Sequence, residues 1–402
     1  MIVKHTFSNL FNWRTFSLLA IMFFGMSTVA LASGEEGHEE GHSAINSKEG
    51  YIDQVLHHVQ NSNEIHLFGN VSIPLPVILY SSEQGVTFAM SSAFHHGHTA
   101  VDGYVLNHGR VNRVIGEGFP REGKVEVGHI EHHEDEEHGS HYSVEYEGKA
   151  YTLEAPSTFM EMTSFIDLSI TKNVAIMILA VILMFLIFGR TAKLMKDREG
   201  MAPKGIQSLM EPFVIFIRDD VAKPFIGDKY EKYLPFIMSL FFFIMILNLL
   251  GLMPFIGGPN VTGNAGTTLA LALFTFILVL VIAKRDYWAH MLWMPGVPVP
   301  VKFILAIIEL ISLLIKPVTL FIRLGANITA GHIAILAMVG LIFIFSDFGT
   351  SMAGGGVGAL IAVPFTFFMN LLELFVAVLQ AFIFALLSAM YIGQAIEEHH
   401  EH

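Results

Sequence analysis

The chain has 402 residues, of which 53% are hydrophobic and 15% are charged, and its mean hydropathy is +0.55. Soluble domains carry roughly 25% charged residues, so this composition is typical of a membrane protein. The absence of cysteine excludes disulfides, thiolate metal sites and cysteine nucleophiles. No basic patch is large enough for strong nucleic-acid binding.

The N-terminal part of the chain differs chemically from the rest. The net charge is −13, yet residues 33–170 hold 22 acidic residues against 6 basic ones, together with 14 of the 20 histidines. Residues 1–32 predict a signal peptide, because a basic start precedes a short apolar core and the cleavage motif Ala30-Leu31-Ala32. A first transmembrane helix is the alternative for this segment.

Three regions follow from these patterns: a signal peptide over 1–32, an acidic His-rich extracytoplasmic region over 33–160 and a membrane domain over 161–402. Residues 33–50 are of low complexity and too polar to fold alone. Short β-like runs punctuated by Gly and Pro occupy 64–94, and 142–154 alternates around Glu147-Gly148 like a hairpin. We therefore expect a small, partly β N-terminal region.

The membrane domain is predicted to be all-α and polytopic, with about five membrane helices. Apolar runs long enough to span a bilayer lie at 174–189, 234–252, 267–283, 301–345 and 361–393. Basic residues after the first and third runs place those ends, and the C-terminus, in the cytoplasm. Residues 205–226 mix apolar and charged positions, which favours an interfacial segment. The last two runs lack a polar turn, so each is expected to be one long, strongly tilted helix.

Polar residues in the fourth run recur at steps of three and four, which places them on one helical face. They are Glu309, Ser312, Lys316, Thr319, Arg323 and Asn327, with His332 close to the next step. The last run has a similar row that contains Asn370, Glu373, Gln380 and Ser388. A charge at mid-membrane costs at least ~2.5–3 kcal/mol, so an arginine or a glutamate there is a functional candidate. Snorkelling or structural ion pairing is the alternative explanation.

A family resemblance rests on these segments. KPVTLFIRLGANITAGH at 316–332, IELIS at 308–312 and the closing segment LLELFVAVLQAFIFALLSAMYIGQAI at 371–396 resemble subunit a of F-type ATP synthases. The segment LPFIMSLFFFIMILNLLGLMP at 234–254 resembles an earlier hairpin of that family. The long N-terminal extension is similar to that of some Gram-negative members.

The resemblance implies a role for each matched position. Arg323 would be the essential arginine that faces the rotating ring of c subunits, with Gln380 on the opposing helix. Asn327 and Glu309 would be polar positions of the proton half-channels, and His332 and Glu373 would form an acid–imidazole pair there. The implied partners are the c-ring, the b subunits and the rest of the complex, together with lipid and protons. The chain would not be an enzyme on its own and would need no cofactor and no metal.

The main alternative is a divalent-metal transporter. The extension carries a cluster of possible zinc ligands, namely His129, Glu131, His132, His133 and His138. A metal transporter would also need such clusters within its spans, where His332 is the only imidazole. An intramembrane enzyme is a third class, but no paired-Asp, HExxH or Ser/Lys arrangement is present.

Overall fold

The computed structural model describes residues 61–68, 71–107, 109–135, 139–157, 162–198, 200–253, 260–293, 298–346 and 351–397. The predicted signal peptide and the low-complexity stretch 33–50 lie outside these residues. The described chain begins with strands and continues as helices from Lys172. The predicted fold class, a polytopic helical membrane protein with a partly β N-terminal region, is confirmed.

The helical part contains long apolar helices and several short helices between them. The helices are α1 (Lys172–Asp197), α2 (Ile206–Phe216), α3 (Lys223–Ile226), α4 (Tyr230–Gly251), α5 (Ala265–Ile282), α6 (Arg285–Leu292), α7 (Val299–Phe345) and α8 (Met352–Ile396). A π-helical turn at Ile217–Ala222 joins α2 to α3. Among the described residues, five helical stretches are long and apolar enough to cross a membrane; they contain α1, α4, α5, α7 and α8.

Helix α4 is the centre of the helical bundle. In its apolar window 89% of the residues are buried within the chain, against 12% for α7. Aromatic side chains fix its neighbours, as where the rings of Phe188 in α1 and Phe242 in α4 meet edge to face at 4.7 Å. Helix α7 therefore lies at the outside of the bundle, with most of its apolar surface uncovered.

The β region consists of three antiparallel sheets. Its strands are β1 (Glu64–Phe68), β2 (Val71–Pro74), β3 (Pro76–Ser81), β4 (Gly85–Met90), β5 (Thr99–Val101), β6 (Tyr104–Asn107), β7 (Arg110–Ile115), β8 (Lys124–Glu126), β9 (Ile130–Asp135), β10 (Gly139–Tyr146), β11 (Lys149–Glu154) and β12 (Phe165–Asp167). The sheet orders are β1-β2, β8-β5-β6-β7-β11-β10-β9 and β12-β3-β4. Strand β12 thus extends the β region beyond residue 160.

The seven-stranded sheet has a packed core on each face. Tyr104 and Leu106 pack towards the three-stranded sheet, whereas Val105 packs into a second cluster on the other face. The backbone N–H of Gly128, just after β8, donates to the carbonyl of Glu145 in β10 at 2.7 Å. Because β8 and β10 lie near opposite ends of the sheet order, this bond shows that the sheet is rolled up on itself.

The predicted hairpin around Glu147-Gly148 is confirmed. Strands β10 and β11 pair from Tyr142↔Leu153 to Tyr146↔Lys149. The two turn residues have φ of 50° and 74°, as expected for the two-residue turn that matches the twist of antiparallel strands.

An ion-pair cluster connects the three-stranded sheet to the rolled sheet. The carboxylate of Glu83, in the turn between β3 and β4, accepts from Arg113 at 2.6 Å and from Arg121 at 2.5 Å. Arg113 is buried and also donates to Ser164 at 2.8 Å. Hydrogen bonds and charge from Arg113, and then from Arg121, hold the pKa of the Glu83 carboxyl below its ordinary value.

We expect Glu83→Gln to loosen this connection at pH 7, because buried Arg113 loses its carboxylate partner. The folded-state pKa of Glu83 is depressed, so its stabilisation is present above the unfolded-state pKa and is lost as the pH falls through the folded-state value. Hydrogen exchange of the β4 and β7 amides measures this effect. Glu126→Gln, at an exposed position of β8, is the control. A Glu83→Gln effect that is equally large well below the unfolded-state pKa would contradict the expectation.

The start of the β region caps the first membrane helix. The backbone N–H of Lys172 donates to the carbonyl of Ser62 at 2.7 Å, and that of Asn173 donates to the side-chain oxygen of Asn61 at 3.2 Å. The first N–H groups of a helix have no partner within it, so these bonds stabilise the N-terminus of α1. They also fix the β region against the membrane domain.

Candidate functional site

Arg323 lies at the centre of the longest helix. Helix α7 has 47 residues and continues through Pro317, so it is about 70 Å long at 1.5 Å per residue. A helix of that length crosses a ~30 Å hydrocarbon core only when strongly tilted. The side chain of Arg323 is exposed on the surface of the chain.

The surface around Arg323 is apolar and includes small side chains. Ile315 and Ile322 on the same helix are 53% and 54% exposed. Ala326 and Ala330, three and seven residues after the arginine, are exposed as well. Small residues on a helix surface allow a second helix to approach closely. A cationic side chain therefore stands at the middle of a surface that fits another apolar helix.

The glycines of this segment face the neighbouring helices of the same chain. A Cβ atom on Gly325 would lie 3.4 Å from the hydroxyl of Thr268 in α5. A Cβ atom on Gly331 would lie 2.9 Å from a carboxylate oxygen of Glu373 in α8. The glycines thus let α7 pack closely against α5 and α8 on one side, while Arg323 faces outwards on another.

Glu373 and Gln380 lie on the inner side of α8, with only 5% and 2% of their surfaces exposed. Helices α7 and α8 run antiparallel, with Gly331 against Glu373 and Lys316 hydrogen-bonded to Gln394 at 2.9 Å. Arg323 lies between these two contacts along α7, and Gln380 lies between them along α8. The structure therefore places Arg323 and Gln380 in the same section of the helix pair.

A buried amide connects α4 to this section of α8. The side chain of Asn248 donates to the carbonyl of Ala377 at 2.9 Å and accepts from the hydroxyl of Thr262 at 2.7 Å. Ala377 is one helical turn after Glu373. Asn248, Thr262 and Glu373 thus form a buried polar layer between α4, the loop before α5, and α8.

A second polar group surrounds Lys316. Its ammonium group lies 5.1 Å from the ring centre of Tyr391 and 5.9 Å from that of Tyr287, besides its bond to Gln394. Glu309 is partly exposed and lies about two helical turns before Lys316 on the same helix.

The polar residues of α7 therefore belong to two groups separated by Arg323. Glu309 precedes Arg323 by 14 residues, about 21 Å along the helix, and Gly331 follows it by eight, about 12 Å. The structure does not bring Glu309 and Glu373 together. Asn327 lies one turn after Arg323 and His332 lies next to Gly331, but the side chains of Asn327 and His332 are outside the described part of the structure.

We expect Gly331→Val to lower the stability of the helix bundle, because the added side chain occupies the space of the Glu373 carboxylate. Gly356→Val is the matched control, since a Cβ atom on Gly356 of α8 has nothing within 4 Å. The measurement is the temperature at which the purified full-length chain aggregates in detergent. Equal aggregation temperatures for the two variants would contradict the close packing of α7 against α8 at Gly331.

Two parts of this site were not identified from the sequence. Asn248 stands in an apolar run, and its partners lie 14 and 129 residues away. Tyr391 and Gln394 are near the end of the chain, and no periodic pattern in the sequence connects them with Lys316. A polar residue within an apolar run was the only signal available for Asn248.

The proposed zinc ligands do not assemble in the part that the structure describes. His133 is opposite His141 in the β9–β10 ladder, and its ring nitrogen is 2.9 Å from the hydroxyl of Ser143. Among the described residues, no group of three or more His, Asp or Glu side chains is arranged to hold a metal ion. His138 and the side chain of His132 lie outside the described part of the structure.

The fold and the site define a polytopic membrane protein whose two long C-terminal helices present a central arginine. Residues 174–393 match the family model described as ATP synthase A chain. The chain belongs to this family. Residues 54–127 match a second model, described as a domain of unknown function (DUF8433), which covers much of the β region.

Relatives with curated names agree with the family model. The chain is 44% identical to ATP synthase subunit a of Chlorobium phaeobacteroides over 247 residues, which are 59% of this chain and 68% of the relative. It is 42% identical to the Chloroherpeton thalassium subunit a over 59% of this chain and 69% of the relative. The Myxococcus xanthus subunit a is 37% identical over 60% of this chain and 77% of the relative. None of these names supports the metal-transporter alternative.

Proposed function

We propose that this chain is the stationary, proton-conducting subunit of an F-type ATP synthase, and that Arg323 couples proton flow to rotation of a ring of c subunits. The observation that carries the proposal is the exposed guanidinium at the centre of an apolar helix surface. A charge at mid-membrane is costly unless it meets a partner. A carboxylate on an apolar partner helix is the chemistry that this surface fits.

The guanidinium acts as a fixed charge. An arginine side chain stays protonated at accessible pH and does not itself relay protons. A nearby positive charge favours the ionised form of a carboxylate, so a carboxylic acid that arrives at Arg323 releases its proton into one half-channel. The same charge opposes direct passage of protons between the two half-channels.

The two polar groups beside Arg323 supply the half-channels. Glu373 and Asn248 lie on one side with the backbone at His332, and Glu309 and Lys316 lie on the other. Carboxyl and imidazole groups exchange protons when hydrated, so Glu309, Glu373 and His332 are the relay residues in this proposal. Gln380 and Asn327 supply hydrogen bonds beside Arg323. Each proton that crosses 100 mV supplies about 2.3 kcal/mol. ATP synthesis therefore requires a rotor that combines the free energy of several protons.

The membrane topology is part of the proposal. Residues 1–32 are a signal peptide and residues 33–160 are periplasmic, while the C-terminus is cytoplasmic and α1, α4, α5, α7 and α8 span the bacterial inner membrane. The basic residues after α1 support this orientation. The chain itself is non-catalytic and works with the c-ring, the b subunits and the catalytic part of the complex.

Affinity purification of the tagged full-length chain from mild detergent, followed by mass spectrometry, tests the proposal. We expect c subunits, b subunits and catalytic ATP synthase subunits to be recovered together. Recovery of the intact chain without them would contradict the proposed function. A second run after Arg323→Ala controls for assembly, since the arginine is proposed to act in coupling and not in assembly.

We expect deletion of residues 35–48 to leave pumping within about twofold of the parent, because a solvated acidic segment acts on protons only over the ~8–10 Å screening distance at physiological salt. ATP-driven pumping in inverted vesicles measures this. A complete loss of pumping with the complex intact would show that the acidic segment takes part in proton access.

A further inference from the structure

The outer face of the three-stranded sheet β12-β3-β4 is apolar and exposed. Its strands pair in register as Ile166↔Tyr80 and Tyr80↔Val86, and alternate residues point to the same side. Six side chains on this side are between 40% and 69% exposed: Val86, Phe88, Met90, Tyr80, Ile166 and Leu168. We call this surface the apolar sheet face.

The composition of the apolar sheet face contrasts with that of the surrounding region. Residues 33–170 carry a net charge of −16, with 22 acidic and 6 basic residues. None of the six side chains is charged. A contiguous exposed apolar patch with a polar surround marks a surface that binds a partner or a membrane.

The position of the apolar sheet face identifies the occupant. The ladder between β12 and β3 continues past the strand, since the N–H of Ile170 donates to the carbonyl of Pro76 at 3.1 Å. Only Thr171 separates Ile170 from α1, which spans the membrane. The end of the sheet that holds Ile170, Pro76 and Met90 therefore lies at the bilayer surface where α1 begins.

The rungs of the sheet nearest α1 fall within the thickness of the lipid interface. With about 3.3 Å per residue along the strands, Leu168 and Phe88 lie about 7 Å from the level of Ile170, and Ile166 and Val86 lie about 13 Å from it. The polar interface of a bilayer adds roughly 5–7 Å on each side of the hydrocarbon core. For strands that stand along the membrane normal, the Met90 rung therefore falls within the headgroup layer, the Phe88 rung reaches its outer edge and the Val86 rung lies beyond it.

We infer that the part of the apolar sheet face nearest α1, with Met90, Phe88 and Leu168, rests in the lipid interface as a peripheral membrane anchor of the β region. Phe, Met and Leu side chains gain by leaving water at this level. The backbone carbonyl of Ser62 and the side-chain oxygen of Asn61 accept hydrogen bonds from the first N–H groups of α1 and hold the region against the same surface. The acidic remainder of the region favours zwitterionic over anionic headgroups by like-charge repulsion.

Single-cysteine labelling tests this inference directly, because the chain contains no cysteine. Met90→Cys, Phe88→Cys and Val86→Cys are labelled with an environment-sensitive fluorophore in the full-length protein. Each variant is reconstituted with its complex into phosphatidylcholine vesicles that contain headgroup-level or chain-level spin-labelled lipid. Lys149→Cys, at the exposed turn of the β10–β11 hairpin, is the matched control, and iodide is the water-soluble quencher.

We expect spin-labelled lipid to quench the fluorophores at Met90 and Phe88 several times more than at Lys149, with Val86 intermediate, while iodide shows the opposite order. Strong iodide quenching at Phe88, equal to that at Lys149, would mean that the face is free in water and would overturn the inference. Protection of Phe88 from both quenchers would mean a protein occupant, either residues 1–60 or another subunit, and would overturn it as well. Phe88 and Val86 are exposed, so the labels do not disturb the core.

Discussion

Arg323→Ala is expected to abolish ATP-driven proton pumping in inverted vesicles, and Arg323→Lys is expected to fail as well. In the proposed mechanism, the alanine variant removes the fixed charge that makes the carboxylic acid of the rotor release its proton. The lysine variant replaces a planar, permanently charged group with an ammonium that loses its proton more readily and is more strongly hydrated. The alanine variant is also expected to increase passive proton leakage, because the charge barrier between the half-channels is gone.

The matched control for these variants is Arg190→Ala, which removes one exposed cation in the C-terminal half of α1. We expect this variant to pump normally. Pumping is measured by quenching of a pH-sensitive dye after ATP addition, and assembly by the amount of chain that purifies with the complex. Normal pumping by Arg323→Ala in an assembled complex would remove the basis of the proposed mechanism.

The second large effect concerns Glu373 and His332. The carboxylate of Glu373 packs against Gly331, which precedes His332 directly, so the two residues lie at one level of the α7–α8 pair. A relay at this level requires one acid and one imidazole but not a particular order. His332→Glu places two carboxyl groups together and Glu373→His places two imidazoles together. We expect each single variant to impair pumping and the double exchange to recover a substantial part of it.

A double-mutant cycle quantifies the exchange. The pumping rates of the parent, both single variants and the double variant give a coupling between the two positions. We expect a large positive coupling, because each exchanged residue restores the partner that the other one lacks. Losses that simply add in the double variant would mean that the two residues do not share a half-channel. Ser388, buried on α8 about two turns after Gln380, supplies the control: the pair Ser388→Ala and His332→Glu is expected to show no coupling.

The positions of the membrane helices could be predicted from the sequence, because the length of an apolar run predicts the length of the helix that it forms. The absence of a polar turn in α7 predicted one helix through Pro317, and the structure has one. Helix α8 begins at Met352, whereas the apolar run in the sequence predicts a start at 361. Glycine has a low helix propensity, yet Gly354 and Gly358 pack directly against the end of α7 near Phe345. Close tertiary packing therefore extends the helix into a segment that local propensity disfavours.

The site was only partly predictable, because contacts between residues distant in sequence decide which polar groups meet. Arg323, Glu373 and Gln380 stand out because a polar residue in an apolar run is costly wherever it packs. The contacts of Asn248 with Ala377, and of Lys316 with Gln394, depend on how helices distant in sequence meet, and a periodic pattern carries no such information. The pairing of β12 with β3 likewise joins residues about 85 positions apart, whereas the hairpin at Glu147-Gly148 is local and was predicted.

The central claim is that Arg323 faces a moving partner helix, and cysteine cross-linking tests it most directly. Ile322→Cys, 54% exposed next to Arg323, is compared with Leu320→Cys, 2% exposed on the inner side of α7. Each is combined with a cysteine beside the carboxylate of the c subunit and oxidised in inverted vesicles. We expect a disulfide only at Ile322, with loss of pumping that a reductant reverses. Cross-linking at Leu320 but not at Ile322, or a disulfide at Ile322 that leaves pumping unchanged, would contradict the account.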